Sequence, residues 1–501
     1  MKKQSFKILM ALFITAAFYT SCDEKRIDLQ PLSPTEASFF TEENDFTRAI
    51  IGVYAKINDY YWFNNNNPIH GFWQLPGDDI TTSGTVPFEI FGTLQPANGD
   101  LNTFYRVTYQ LINRANTAIQ KLDEEKGIIK TPNLKNNLRG EALFLRGWAN
   151  FLLWNYFGTS PLMTERVQTS DRTTPPNSKD TELLDQAIKD FTEAATLLPT
   201  SWPTSDRGRV TQSSANGMLG KALVFRGSAK KNNADFTAAI AAFNKITDRR
   251  LMANFRDNFD VKVENNAESL FEFQASQPDF DNVWLSNDFE ARGVGSTSAY
   301  WGYYENHWSL FGKARFEATQ KLVNAFEPND PRRDITLNAA NRTFNKYWNT
   351  GDQKSQSGVA SVNNPRILRY ADVLLLRAEA VLESGGSTAE AIGLINQVRT
   401  RAREMRAGGT VPANYPTTET DRARIFNWIA NERFLELAGE EGARWLDLRR
   451  WHLAGKINLG SGFNWSSLRN DVTFDVNKHL LYPIPLSEID LNPNVKQNPG
   501  Y

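Results

Sequence analysis

Two stretches of this chain hold flat aromatic rings beside amide, carboxylate and guanidinium side chains. Residues 61–100 carry Trp62, Phe63 and Trp73 with Asn64 to Asn67, Asp78 and Asp79. Residues 280–308 carry Phe280, Trp284, Trp301, Tyr303, Tyr304 and Trp308 with Asn282, Asn287 and Arg292. These side-chain types suit a sugar, whose C–H face lies on an aromatic plane while polar groups pair its hydroxyl rim. A ring shielding roughly 100 Å² of sugar contributes at most about 2.5 kcal/mol at about 25 cal/mol/Å². Association costs of about 4–15 kcal/mol then leave modest affinity for a short oligosaccharide on two or three rings. A long chain gains from its many registers.

A hydrolytic reading needs two carboxylates, about 6.5–9.5 Å apart in an inverting glycosidase. Asp78 and Asp79 are the obvious pair, yet sequence neighbours do not automatically face one cleft, and one of them reads better as a turn or cap residue. His70, His307, His452 and His479 are scattered, with no HExxH, GxSxG or P-loop spacing. The expectation is a binding protein with no catalytic residue, no metal and no cofactor. With 56 basic and 57 acidic residues, the chain has no electrostatic footprint for nucleic acid.

The elements that must position the aromatic stretches are helical and come in pairs. Ala371, Leu375, Ala378 and Leu382 fall at i, i+4, i+7 and i+11, along one helix face. Gly385 and Gly386 stop that helix, and Ser387 with Glu390 predicts a capping box opening the next, striped by Ala391, Ile395, Val398 and Ala402. The construction recurs with Leu138, Ala142, Leu145, Ala149 and Leu153 against Leu184, Ala187, Phe191 and Leu198. It recurs again where Thr211 caps a helix bearing Ala215, Leu219 and Ala222, followed by Phe236, Ile240 and Phe243. A first hairpin combines 44–60 with 101–122, split by a long insertion. The fold class expected is mainly α: about four tetratricopeptide-like hairpins, spaced too irregularly for a strict repeat. Loop-rich insertions interrupt them at about 61–100 and 255–365, where Asn, Gly, Pro and aromatics accumulate. Loops this long and this aromatic are sites of function rather than of disorder.

Cys22 is the only cysteine among 501 residues. It can form no intramolecular disulfide, and structural metal sites recruit several ligands at close spacing. Its position explains it: Lys2, Lys3 and Lys7 precede an apolar run from Ile8 to Tyr19, then Thr20 and Ser21. About a dozen apolar residues fall short of the about 20 needed to span a membrane and match a secretory signal peptide. The stretch looks like a bacterial lipoprotein signal, with Tyr19 where Leu is usual, so Cys22 is expected to be the lipidated first residue of the mature chain. Residues 1–21 are thus a signal peptide, 22–43 a tether and N-terminal segment, and 44–501 one domain.

Long motifs then resemble a known family. "GEALFLRGWANFLLWNYFGTSPL", "RVTQSSANGMLGKALVFRG", "LVNAFEPNDPRRD", "ILRYADVLLLRAEA", "IANERFLELAGEEGARWLDLRRW" and "LLYPIPLSEIDLNPNVKQNPGY" are similar to the SusD/RagB family of Bacteroidetes outer-membrane lipoproteins. The resemblance implies a lipid-anchored protein on the outer face of the outer membrane, capturing oligosaccharides for a SusC-like TonB-dependent transporter. "DEK" after Cys22 is similar to the acidic signals that send such lipoproteins to the surface. It also implies that the ligand surface is built from the two insertions. The candidate platforms are Trp73, Trp284, Trp301 and Tyr304, and the polar partners Asp78, Asn282 and Arg292. A RagB-like peptide cargo is the alternative, but peptide sites favour strand edges or charged pockets over aromatic platforms. A purely scaffolding role for the helical array is a further alternative. Glu432, Arg433, Trp445 and Arg449, at helical spacing beside an apolar stripe, are expected to be salt-bridged packing. "YPIPLSEIDLNPN" reads as extended chain and tight turns.

Overall fold

The computed structural model describes residues 36–61, 63–64, 67–68, 71–82, 84–168, 174–275, 316–347, 363–440 and 442–501. Ten longer helices among them build the scaffold: α1 (Glu43–Ala55), α2 (Gly99–Glu124), α3 (Leu134–Phe157), α4 (Glu182–Leu197), α5 (Gln212–Lys230), α6 (Asn233–Phe243), α7 (Tyr370–Glu383), α8 (Thr388–Glu404), α9 (Arg422–Glu436) and α10 (Ala443–Ala454). From α1 to α8 each helix packs on the next, with α9 closing on α7 and α8. α1 pairs with α2 across the first insertion, as expected for the hairpin of 44–60 with 101–122.

Local chemistry starts and stops these helices. Asn98 Oδ1 accepts from Leu101 N at 3.0 Å and begins α2. Thr211 and Ser214 form a reciprocal capping box on α5, Thr211 N reaching Ser214 Oγ at 2.9 Å and Ser214 N reaching Thr211 Oγ1 at 3.3 Å. On α8 only half of the expected box forms. Ser387 Oγ accepts from Glu390 N at 3.3 Å, but the Glu390 carboxylate turns to Arg377 at 3.0 Å, bracing α7 against α8. Gly385, at φ +85°, supplies the left-handed turn that ends the α7 side of the hairpin. At Gly220 the absent side chain matters instead, because a Cβ there would enter the Phe243 ring of α6.

The motif around residues 430–450 is packing, ionic as well as apolar, as its spacing implies. Trp445 is 1 % exposed. Buried Arg433 reaches Asp372 and Asp447, each at 2.7 Å. Glu432 pairs with Arg332 at 2.5 Å and Arg399 at 3.0 Å. Arg449 donates from Nε to Leu480 O at 2.9 Å and lies over the Trp154 ring. Glu436 gathers Arg332, Arg369 and Arg401 from three separate segments. Each such ion costs several kcal/mol to desolvate, so the lattice holds only as a set.

Two expectations change. The described parts of 255–365 are ordered chain, not plain loop. β2 (Ser269–Glu272) pairs antiparallel with β4 (Arg366–Arg369), Ser269 opposite Arg369 and Glu272 opposite Arg366. Phe255 and Phe259 are fully buried. The C-terminal motif is extended only as far as Pro485, and a short helix, Leu486–Leu491, follows. Pro485 lacks an N–H but offers its carbonyl, which accepts from Glu488 N at 3.0 Å and starts that helical turn.

Candidate ligand-binding site

The first insertion re-enters the fold through a short helix, Gly71–Gln74. Phe72 is fully buried and stacks on Phe104 of α2, ring centroids 4.0 Å apart. Tyr482, 410 positions onward, places its hydroxyl 2.9 Å from Phe72 O and 2.6 Å from Leu75 O. Trp73 therefore sits in a turn pinned on both sides by buried neighbours; its own side chain lies outside the described residues.

Asp78 and Asp79 diverge. Asp78 is fully buried, held by the Arg444 guanidinium, with Nη2 at 3.0 Å, and by Lys321 Nζ at 2.5 Å. Burial alone would raise its pKa, but Arg444 and Lys321 outweigh that and bring it to about 2. Asp79 accepts from Gly439 N at 3.1 Å. Burial, reinforced by the Asp78 charge, pushes its pKa up to about 6. Asp78, expected as a polar partner for a ligand, has no exposed surface, and both its oxygens are engaged by Arg444 and Lys321. As an acid–base pair the two aspartates point to different partners, and neither is open to a cleft. Lys321 and Arg444 were missed from the sequence; isolated cations 243 and 366 positions from Asp78 leave no local signal.

Strand pairing joins the two insertions. β1 (Ile80–Thr82) runs antiparallel to β3 (Phe316–Ala318), with Ile80 opposite Ala318, Thr81 opposite Glu317 and Thr82 opposite Phe316. Thr319 extends the seam, donating from N to Asp79 O at 2.9 Å and from Oγ1 to Asp78 O at 2.6 Å. Glu89 braces the outer end, accepting from Thr81 Oγ1 at 2.6 Å and pairing with Arg469 at 3.0 Å. On the other side Ala275 N donates to Asn364 Oδ1 at 2.7 Å, next to the β2–β4 pair. The chain is thus tied down at both 275 and 316. Asn282, Trp284, Arg292, Trp301 and Tyr304 fall between 275 and 316 in sequence, outside the described residues; Cys22 also lies outside the described residues.

His479 is buried against Phe91, its Nδ1 accepting from Asp475 N at 2.8 Å, and burial lowers its pKa to about 4. His452 Nδ1 accepts from Leu459 N at 3.3 Å. Both are structural; His70 and His307 lie outside the described residues. Among the described residues no group of three or more His, Cys, Asp and Glu could hold a metal ion, and no helix is long and apolar enough to cross a membrane.

The model of the SusD family matches residues 154–501, from the end of α3 to the C-terminal tyrosine. This chain belongs to the SusD family. A second model, described as starch-binding associating with outer membrane, matches residues 40–223. SusD-like protein P2 of Formosa agariphila is 25% identical with both chains fully covered. The starch-binding protein SusD of Bacteroides thetaiotaomicron is 31% identical over 159 residues, 32% of this chain and 25% of that one. A SusD superfamily crystal structure from Bacteroides vulgatus superposes with TM-score 0.70 at 25% identity, covering 92% of this chain and all of that one. Surface glycan-binding protein A from Bacteroides thetaiotaomicron, in complex with laminarihexaose, superposes with TM-score 0.73 at 20% identity, over 91% of this chain and all of that one. The mainly helical SusD-like fold expected from the motifs is the fold found.

Proposed function

We propose that this SusD family protein captures oligosaccharides and polysaccharides at the cell surface and delivers them to a SusC-like TonB-dependent transporter, without catalysing a reaction on them. The observation that carries the reading is the β1–β3 seam. It pairs strands more than 200 positions apart and so brings the two aromatic-rich insertions onto one support, where platforms from both can face one ligand. The names of relatives agree: starch-binding for one curated protein, laminarin-binding for one solved fold neighbour and a laminarihexaose complex for another.

In this reading Trp73, Trp284, Trp301 and Tyr304 are the planes on which sugar rings lie, and Asn282 and Arg292 pair the hydroxyl rim. Asp78, Lys321 and Arg444 hold the wall beneath them. Lipid on Cys22 anchors the protein in the outer membrane, facing outward. Modest affinity per ring suits a protein that must release its cargo.

Calorimetric titration against starch, fructan, chitin, xylan, mannan and pectin fragments and a peptide mixture tests this. Heat from one glycan that falls when Trp73, Trp284 and Trp301 become Ala in a folded protein supports capture at the insertions. Heat from peptides alone overturns the cargo, and copurification with no transporter overturns delivery.

A further inference from the structure

A second feature of the fold has the makings of a binding site and shares no described residue with the β1–β3 seam. Along α2 runs a cavity of about 760 Å³, walled by the 161–167 segment on one side and the Leu486–Leu491 helix on the other. A smaller one of about 240 Å³ adjoins it, sharing Asn113 and Arg114 and reaching Phe40. The larger forms a trough between α2 and that helix. The larger part lies within the 300–1,000 Å³ typical of ligand sites.

The walls are preformed. Asn113 Oδ1 accepts from Val167 N at 2.8 Å, and Asn116 Nδ2 donates to Glu165 O at 2.9 Å, so two α2 amides nail down one wall. Leu486 N donates to Pro96 O at 3.0 Å, Ser487 Oγ to Asn102 Oδ1 at 2.9 Å, and Asn492 Nδ2 to Pro175 O at 2.8 Å, fixing the other. A rigid site loses little ordering entropy when a ligand enters.

The chemistry of the lining selects the ligand. Its charges among the described residues balance, Arg106 and Arg114 against Glu165 and Glu488, which disfavours a strongly charged occupant. Tyr105 and Tyr109 put two rings in the wall, centroids 4.8 Å apart. Gln110 Oε1 is buried with no hydrogen-bond partner among the described residues, so a donor from a ligand would satisfy it. Glu488 lies beside both tyrosines, where burial raises its pKa. Leu491, 79 % exposed, supplies an apolar rim. A partly exposed ring at Tyr109, an apolar rim, balanced charge and an unmet acceptor suit a neutral polyhydroxylated chain.

We infer that the trough between α2 and the Leu486–Leu491 helix is a second glycan-binding site, taking a neutral oligosaccharide independently of the insertions. A long polysaccharide engaging both sites would be held by avidity.

The purified protein would be studied with maltohexaose, laminarihexaose, xylohexaose and mannohexaose by saturation-transfer NMR and titration. A chain with Trp73, Trp284 and Trp301 changed to Ala is expected to keep transfer to one of these sugars. Adding Gln110→Ala and Glu488→Gln is expected to weaken that residual binding at least about tenfold, about 1.4 kcal/mol, with the melting temperature retained. In the wild type the same sugar should slow amide exchange across residues 486–492, a readout needing no variant. Transfer lost entirely in the tryptophan variant overturns the second site and leaves capture at the insertions standing. Binding lost only with Gln110 and Glu488 supports the trough and overturns the insertion site. Residual binding indifferent to the Gln110 and Glu488 changes, or silence from all four sugars with unchanged exchange, overturns the trough.

Discussion

Arg444 Nη2 donates to Asp78 Oδ2 across 3.0 Å, joining residues 366 positions apart in the chain. Through this contact the start of α10 is coupled to the segment that leads into the β1–β3 seam. Asp78 carries a second cation, Lys321, from just beyond β3, so one buried carboxylate holds three segments together.

Removing one partner should cost more than removing both. Arg444→Ala leaves Asp78 buried with only the half-exposed Lys321 to balance it, and should lower unfolding free energy by about 3–5 kcal/mol. Combined with Asp78→Asn, part of that loss should return. Urea unfolding of the two single variants and the double variant measures the coupling, and strictly additive losses would show that the pair is not a unit.

Glu264 should make stability fall as pH rises. Burial, joined by Glu272 and Asp260 and opposed by Arg366, lifts its pKa from 4.5 to about 8, while its Oε1 accepts from Asn364 N at 2.7 Å. Because the folded pKa lies above the unfolded one, the folded state holds the extra proton between the two values. Its penalty is absent below about 4.5 and complete above about 8. Glu264→Gln keeps the acceptor and removes the titration. The wild-type minus variant stability difference should therefore fall across that window, by at most about 1.4 kcal/mol per pH unit for one proton. A flat difference between pH 4.5 and 8 would refute it.

Single platform changes should weaken glycan binding without unfolding the protein. Trp73→Ala, Trp284→Ala and Trp301→Ala each remove at most about 2.5 kcal/mol of ring contact, an affinity loss of up to roughly seventyfold. Circular dichroism checks the fold and titration the affinity. A variant that stays folded and binds unchanged would be struck from the set of platforms.

Widening the gap between α5 and α6 should be felt at Gly220. Gly220→Ala drives a methyl group into the Phe243 ring, an overpacking cost of about 1–3 kcal/mol. Phe243→Leu in the same chain should recover part of it, read as a rise in melting temperature. If Gly220→Ala melts with the wild type, the Phe243 ring yields to the methyl group at no cost and the close approach does not require glycine.

Lipidation is tested at Cys22. Cys22→Ser should abolish incorporation of labelled fatty acid and release the protein from the membrane fraction, leaving sugar affinity in solution unchanged. A labelled serine variant would show that the acyl chain sits elsewhere.

Much of the scaffold was readable because a helix is a local object. The stripe Ala371, Leu375, Ala378, Leu382 repeats at the spacing of one face, and a cap such as Thr211 with Ser214 acts within three residues. Side-chain type was equally readable, so the aromatic insertions stood out before any contact was known. What failed was local reasoning about long-range partners. Asp78 looked like a ligand contact because a carboxylate in a polar loop is normally solvated, and only α10 and the residues after β3 bury it. Glu390 looked like half of a capping box, and Arg377 on the preceding helix outbid the backbone for its carboxylate.

By itself the amino-acid sequence determined the helices, their pairing into hairpins, the family and the kind of side chain available to a ligand. Each of these follows from periodicity, capping chemistry or residue type within a few tens of residues. The tertiary structure alone decided that strands of three residues, Ile80–Thr82 and Phe316–Ala318, pair across more than 200 positions, and which carboxylates Arg369, Arg401 and Arg433 reach in the α7–α10 half. Strands that short carry no period of their own. A buried charge is tolerated only where a partner arrives from elsewhere in the chain, and that arrival is a property of the assembled fold.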